Sequence, residues 1–372
     1  MLLKFAIQNF RGFKDRMVWD LSNPNNYEFN THAIKDGVIK NGIIYGPNGC
    51  GKTNFGEALF DIVNHLTQKQ KQIDYYRNFV NAEQPNEPVR FEYLFRFDDK
   101  ELLYRYSKDY KGGLIDEYME AYGKTILVRN SQQVDTGEFT MADQMKNEFQ
   151  TTTSAISLVS YIWSNYPLAN DHILSHLRRF VDNMLWYKCL DKREFIGLNN
   201  EPTANIEDYI IKNNLLEEFA DFLYDVSEQK FNLKALTVST NQSVIVCSFQ
   251  TQQGSEFVLP FLSIASTGTV ALELLFYWIK QTENASLLFI DEFDAFYHFK
   301  LSFEVCQRLF HTNKQVFLTS HNTYLMTNDL LRPDCNFILD NNKIKSLVDC
   351  TDKELRFAHN NEKLYRGGKF KV

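Results

Sequence analysis

The chain opens on an alternation. Leu3, Phe5 and Ile7 are separated by Lys4, Ala6 and Gln8, the period-two pattern of a half-buried strand. Asn9-Phe10-Arg11-Gly12-Phe13-Lys14-Asp15 comes next, with Gly12 as the expected turn, and a second strand is expected at 17–21. Beyond a loop rich in Asn and Pro, residues 39–45 form a short apolar run that reads as a buried strand. The period then lengthens. Within 54–66 the apolar residues are Phe55, Ala58, Leu59, Ile62 and Val63, which is helical spacing. Residues 68–88 are polar and charged. Strands are expected at 89–97, 102–110, 114–121 and 124–129, turning at Asp98-Asp99 and Gly112-Gly113, as antiparallel hairpins beside the first strand–helix unit.

From about residue 136 the helical period takes over, at 154–163, 171–186, 206–212 and 215–229, and 132–231 is expected to be a helical insertion. A strand pair, 235–239 with 243–250, is expected to return to the sheet, with a loop at 252–255. An apolar helix is expected at 270–279. Alternation of strand and helix then resumes, with a buried strand at 286–290, an amphipathic helix at 299–310 and a strand at 316–319. A closing hairpin, 336–339 with 343–348, turns at Asn341-Asn342. The stretch 352–372 is mixed and locally basic.

Composition narrows the class. With 372 residues and 44% hydrophobic positions, there is room for two domains or one large domain with an insertion. The net charge of −7 argues against a broadly basic nucleic-acid binder while allowing a local basic patch. Six scattered cysteines without a C-x-x-C pair read as reduced thiols of a cytoplasmic protein. The opening residues do not read as a signal peptide, and no window approaches the roughly 18 apolar residues of a membrane span.

The chemistry begins at Gly46-Pro47-Asn48-Gly49-Cys50-Gly51-Lys52-Thr53, which fits the phosphate-binding pattern G-x-x-x-x-G-K-[ST] between a strand and a helix. Glycines let successive backbone N–H groups turn toward one anion, and the helix N-terminus adds partial positive charge. Asn48, Gly49, Cys50, Gly51 and Asn54 line the expected cradle, with Lys52 on the β- and γ-phosphates and the Thr53 hydroxyl on Mg²⁺. A second acid-bearing strand is then required. Ser286-Leu287-Leu288-Phe289-Ile290-Asp291-Glu292 supplies it, with Asp291 as the magnesium acid and Glu292 as the residue polarising water. Ser266-Thr267-Gly268-Thr269 heads the helix at 270–279, where a hydroxyl and a glycine make either an ordinary cap or an anion site. His321, leaving a strand end, can sense a γ-phosphate. Asp294 and His298 come after the acid strand, where such a site would meet a second subunit.

In that order the motifs resemble the ABC-type ATPases: phosphate loop, signature, acid strand with its glutamate, switch histidine. Ile7-Gln8-Asn9-Phe10-Arg11-Gly12-Phe13 is similar to the opening of the SMC/RecF branch, which implies that Arg11 lies near the nucleotide. Ser266-x-Gly268-Thr269, Asp291-Glu292-Phe293-Asp294-Ala295 and the run from Asn361 to Phe370 resemble the abortive-infection ATPases related to the OLD (overcoming lysogenization defect) proteins. The resemblance covers about 1–130 and 232–372. It implies an α/β fold: an ABC-type P-loop ATPase head with an antiparallel β-subdomain and a helical insertion. The head would be split between 1–131 and 232–372. The glutamine loop of that branch has no clear counterpart, and Gln84 is the candidate.

The resemblance further implies ATP and Mg²⁺ as ligands. A homodimer would sandwich two ATP molecules, with Ser266 and Gly268 completing the partner's site, and a higher oligomer stays open. Transporters are disfavoured by the opening motif, and coiled-coil repair ATPases by the lack of a sustained heptad between 132 and 231. The stretch after His321 is expected to be too short for a nuclease domain of typical size. Two readings stay open. One is a nuclease-free regulatory ATPase of a phage-defence operon, whose partner is a separately encoded effector such as a TOPRIM-type nuclease. The other is a RecF-like, DNA-binding repair ATPase. His172 and His176, four apart on an expected helix, have zinc spacing but no acid or cysteine to complete a site. Arg178 and Arg179 beside them suit a solvated face, or contact with nucleic acid or a partner.

Overall fold

The structure is a computed structural model. It describes residues 1–67, 78–152, 156–189, 195–197, 206–239 and 242–372. Two seven-stranded sheets enclose one helix. In the core sheet the strand order is Phe195–Gly197, Met184–Lys188, Leu287–Asp291, Gln315–Thr319, Asn41–Tyr45, Asn336–Asp340, Lys343–Ser346. The five middle strands are parallel and the two outer ones antiparallel. Parallel strands are covered on both faces, so they read as unbroken apolar runs. Leu287–Asp291 and Gln315–Thr319 are buried at every position. Three strand ends on one side of this sheet carry Gly46, Asp291-Glu292 and Ser320-His321, which gathers the motifs at one edge.

The second sheet is antiparallel throughout. It runs Val134–Asp135, Lys124–Arg129, Leu114–Ala121, Lys100–Lys108, Val89–Phe97, Leu2–Gln8, Met17–Asp20. The expected hairpins are all present. The first turn differs in detail. Phe10 and Phe13 exchange backbone hydrogen bonds, and the left-handed residues are Asn9 (φ 60°) and Arg11 (φ 44°) rather than Gly12.

Helix Lys52–Leu66 lies between the sheets, with 13 of its 15 residues buried. Its apolar stripe was legible, but the opposite face is buried as well. Phe55 meets Phe5 (5.8 Å) and Trp19 (5.2 Å) on one side and Phe289 (6.3 Å) on the other. Such a side chain contributes about 1.5–3 kcal/mol by burial. Gly56 lets the helix approach Trp186 and Phe289; a Cβ there would lie 2.6 Å from the indole nitrogen. Two polar residues of the buried face find side-chain partners in the antiparallel sheet. Asp61 accepts from Lys108 (2.6 Å) and from the Tyr106 hydroxyl (2.8 Å), and His65 meets the Tyr104 hydroxyl (2.7 Å).

Residues 132–231 depart from expectation. The helix expected over 171–186 is Ile173–Asp182. The chain then becomes the strand Met184–Lys188, paired in parallel with Leu287–Asp291. Trp186 therefore belongs to the core sheet, because the hydrophobic demand of that sheet overrides a helical continuation. Helices Leu158–Asn165, Ile206–Lys212 and Leu216–Ser227 are present, and Asp143–Thr151 is an additional one. The start of the helix expected at 154 lies outside the described residues. The pair Leu233–Ser239 and Gln242–Gln250 does not return to either large sheet. With Glu256–Pro260 it makes a separate three-stranded antiparallel sheet. The closing hairpin is Asn336–Asp340 with Lys343–Ser346, turning through left-handed Asn341 and Asn342. Among the described residues no helix is long and apolar enough to cross a membrane.

Candidate functional site

The phosphate loop is shaped by close contact and by backbone hand. A Cβ on Gly46 would meet the Leu339 carbonyl at 2.3 Å, so only glycine lets the loop leave its strand beside the neighbouring one. Gly51 (φ 101°) heads helix Lys52–Leu66, a conformation that L side chains rarely adopt. Lys52 folds back on this loop, its ammonium donating to the carbonyls of Gly46 (2.9 Å) and Pro47 (3.2 Å). Burial lowers its pKa, partly offset by Cys50, Asp291 and Glu292. Asn48 and Gly49 are exposed, and Cys50 is half-buried with its thiol raised by burial.

The acid strand meets the loop directly. Thr53 Oγ1 donates to Asp291 Oδ2 at 2.6 Å, and Thr319 Oγ1 donates to Asp291 Oδ1 at 2.6 Å. Asp291 is fully buried, so its two carboxylate oxygens are held by one hydroxyl from the helix start and one from a neighbouring strand end. Glu292 is left-handed (φ 50°), its N–H donating to Thr319 Oγ1 at 2.8 Å. Its Oε2 is buried without a hydrogen-bond partner. Burial first, and Asp291 second, raise its pKa; Lys188 and Lys52 oppose. Left-handed backbone and an unsatisfied carboxylate are costs a fold retains where function needs them. His321 lies at the same edge, its pKa lowered by burial and by Lys52 and raised by Asp291.

Arg11 reaches the same helix. Its guanidinium donates to Asn54 Oδ1 (2.9 Å) and pairs with Glu57. Gln84 lies in a turn whose backbone accepts from Asn9 Nδ2 (3.1 Å), and Asn81 of that turn donates to the Arg11 carbonyl. Ser266 and Gly268 belong to the start of a different helix. Ser266 caps helix Thr267–Gln281 by accepting from Thr269 N (3.2 Å), and Thr269 Oγ1 donates to Gln229 (3.0 Å). A Cβ on Gly268 would meet the Phe296 carbonyl at 2.9 Å.

A family model described as "AAA domain, putative AbiEii toxin, Type IV TA system" matches residues 43–327. The chain belongs to this family. Its match spans the phosphate loop, the strand Leu287–Asp291 and His321, so the ABC-type ATPase assignment of the abortive-infection group holds. No curated protein matches the chain. Among solved structures it is similar to an SMC head bound to the C-terminal winged-helix domain of ScpA. The identity is 13%, 94% of this chain and 98% of that chain are covered, and the TM-score is 0.47. It is also similar to the SMC head domain from Thermotoga maritima (12%, 92% and 97%, TM-score 0.43). A third is the recombination mediator protein RecF with ATPrS (14%, 94% and 98%, TM-score 0.41). The family assignment rests on the family model and the geometry, not on these distant likenesses.

Thr319, which serves Asp291 and Glu292 together, belongs to none of the sequence motifs. Its signal was present, since Thr319-Ser320 places two hydroxyls just before His321. The paired histidines are used locally. His172 Nδ1 caps helix Ile173–Asp182 while Nε2 meets Glu138 (2.9 Å), and His176 stacks on Phe97. Arg178 lies over the Trp163 ring, and Arg179 donates to the Asn170 carbonyl.

Proposed function

We propose that the chain binds ATP with Mg²⁺ and hydrolyses it slowly, as a nucleotide-driven regulatory subunit. The observation that carries the reading is the Thr53–Asp291–Thr319 hydroxyl–carboxylate bridge beside an unpartnered Glu292 oxygen. These groups fit a triphosphate and its cation. The open side of the loop at Gly49, where a Cβ would meet nothing, leaves room for the anion. Thr53 and Asp291 would hold the magnesium, which when bound neutralises phosphate charge and orders water. Asn48 to Asn54 would cradle the phosphates through backbone N–H groups, with the Lys52 ammonium moving from its loop carbonyls to the β- and γ-oxygens. Arg11, held by Asn54 and Glu57, would border the nucleotide. Glu292, with its raised pKa, would take a proton from water, and His321, whose pKa burial lowers, would donate to the γ-phosphate.

Ser266 and Gly268 would complete the site of a second copy, so that two ATP molecules are enclosed by a two-fold dimer. The biological reading is a cytoplasmic sensor or scaffold of an anti-phage system, in which ATP state sets the affinity for a separately encoded effector. A ligand shifts such an equilibrium only through unequal affinity for its states. Membership of the family described as putative AbiEii toxin supports this reading.

The test is co-purification of the chain with the product of its neighbouring gene, with and without ATP. ATP-dependent association supports the regulatory role. Tight, specific DNA binding by the chain alone would move it to the repair reading.

A further inference from the structure

On both sides of His321 the chain makes contacts that phosphate chemistry does not call on. Ser320 Oγ donates to Asp294 Oδ2 (2.7 Å) and accepts from Asn322 N (2.8 Å), and Asn322 Oδ1 accepts from Tyr324 N (3.1 Å). The short turn Thr323–Leu325 comes next, and Thr323 Oγ1 donates to Glu362 Oε1 at 3.1 Å. Glu362 sits in the first turn of the helix Asn361–Arg366.

That helix is anchored. Asn361, 1% exposed, donates through Nδ2 to Asn328 Oδ1 at 2.8 Å. Asn328 in turn donates to the carbonyls of Arg356, Phe357 and His359 (2.9–3.2 Å). Asn360 caps the helix by accepting from Lys363 N (2.8 Å). Tyr365, on the same helix, is half-buried, and burial raises the pKa of its phenol. Through Glu362 the helix is in hydrogen-bond contact with the segment after His321.

A histidine at the end of a strand needs a fixed backbone to hold a phosphate, because misplacement by about 1 Å costs on the order of 100-fold in rate. Resting on the nucleotide reading above, we propose that helix Asn361–Arg366 is a strut for the switch segment. Glu362 is its positioning residue, setting Thr323 and thereby the placement of His321 against the γ-phosphate. The local likeness of this run to abortive-infection ATPases receives a physical role in this way.

The experiment compares full-length wild type, Glu362→Ala, Glu362→Gln and Lys52→Ala. Hydrogen exchange at residues 321–325 is measured without nucleotide, then ATP affinity, kcat and KM. In Glu362→Ala, exchange at 321–325 should rise while the strand Gln315–Thr319 stays protected. Its ATP affinity should stay within about twofold, and kcat should fall about tenfold with KM little changed. Glu362→Gln keeps an oxygen that accepts from Thr323 and should restore both exchange and kcat. Unchanged exchange in Glu362→Ala overturns the proposal. So does a joint loss of affinity, kcat and global protection, which marks a merely structural residue, or a Gln variant as impaired as Ala. The exchange arm needs no nucleotide. Absence of ATP binding in wild type and Lys52→Ala alike would therefore sink the nucleotide reading separately, and the proposed γ-phosphate role with it.

Discussion

Two helices in this chain present their N-termini to motifs of the same chemistry, and they are finished differently. At Lys52–Leu66 the surrounding chain supplies every neighbour: the Gly46 carbonyl for Lys52, Asp291 for Thr53, and Arg11 against Asn54. At Thr267–Gln281 the hydroxyls are engaged away from the phosphate loop, Ser266 accepting from Thr269 N and Thr269 donating to Gln229. The approach to that second terminus is exposed, including Leu262 (49%) and Ile264 (38%). One end is enclosed by residues from separate elements. The other is a capped helix terminus with an open apolar approach. On the shared-site reading proposed above, each copy would give one end.

The largest effect expected from this contrast is complementation. Lys52→Ala should lose ATP binding altogether by calorimetry, and Ser266→Arg should bind ATP but lose turnover. Mixing the two leaves one site built from an intact loop and an intact Ser266, so activity should return. Failure to recover any turnover would count against shared sites. Next, Glu292→Gln should bind ATP normally and turn over at least 100-fold more slowly, about 3 kcal/mol of barrier. Near-normal turnover would give the water-polarising role to another residue.

Thr319→Val removes the one hydroxyl that donates to Asp291 Oδ1 and accepts from Glu292 N, and leaves a buried carboxylate oxygen unpaired. It should cost about 1.5–3 kcal/mol of stability, read from denaturant unfolding. Ser266→Ala removes only a cap and should cost about 1 kcal/mol. Equal costs would erase the contrast between the two ends. The smallest effect is a pH dependence. Because the folded state raises the Glu292 pKa, its charged form is disfavoured there. The cost is present above the folded pKa and vanishes once the carboxyl is protonated in both states. Glu292→Gln should therefore unfold at a higher temperature than wild type at neutral pH, and the gap should close on acidification. A gap independent of pH would assign it to packing.

Much of the fold was legible because its signals are local. The strand alternation of Leu3, Phe5 and Ile7, the glycines of the phosphate loop and the Asn341-Asn342 turn each act within a few residues. The strand Met184–Lys188 was not legible. Leu177, Phe180, Val181, Met184 and Leu185 continue a helical spacing, and a short strand buried on both faces has no alternation to betray it. Asn183 ends the helix, and pairing with Leu287–Asp291 makes the next segment a strand. Strand Glu256–Pro260 was missed for a related reason: its pairing with Gln242–Gln250, not its own pattern, makes it a strand. At the site the motif residues were legible one by one. Thr319 was legible only as a hydroxyl beside His321; its role exists only where separate strand ends meet.

The parallel sheet also sets a timetable for synthesis. The strand that leads into the phosphate loop, Asn41–Tyr45, is flanked by Gln315–Thr319 and Asn336–Asp340. A ribosome working at about 5–20 residues per second releases those neighbours only after a delay on the order of tens of seconds. Until then an apolar strand has no sheet to join, while the antiparallel hairpins from Val89 to Arg129 can already close on one another. The nascent chain thus carries a folded β-lobe and an unmade nucleotide pocket side by side. Its exposure to chaperones and to aggregation is concentrated in that interval, and nucleotide can stabilise the protein only once nearly the whole chain has emerged.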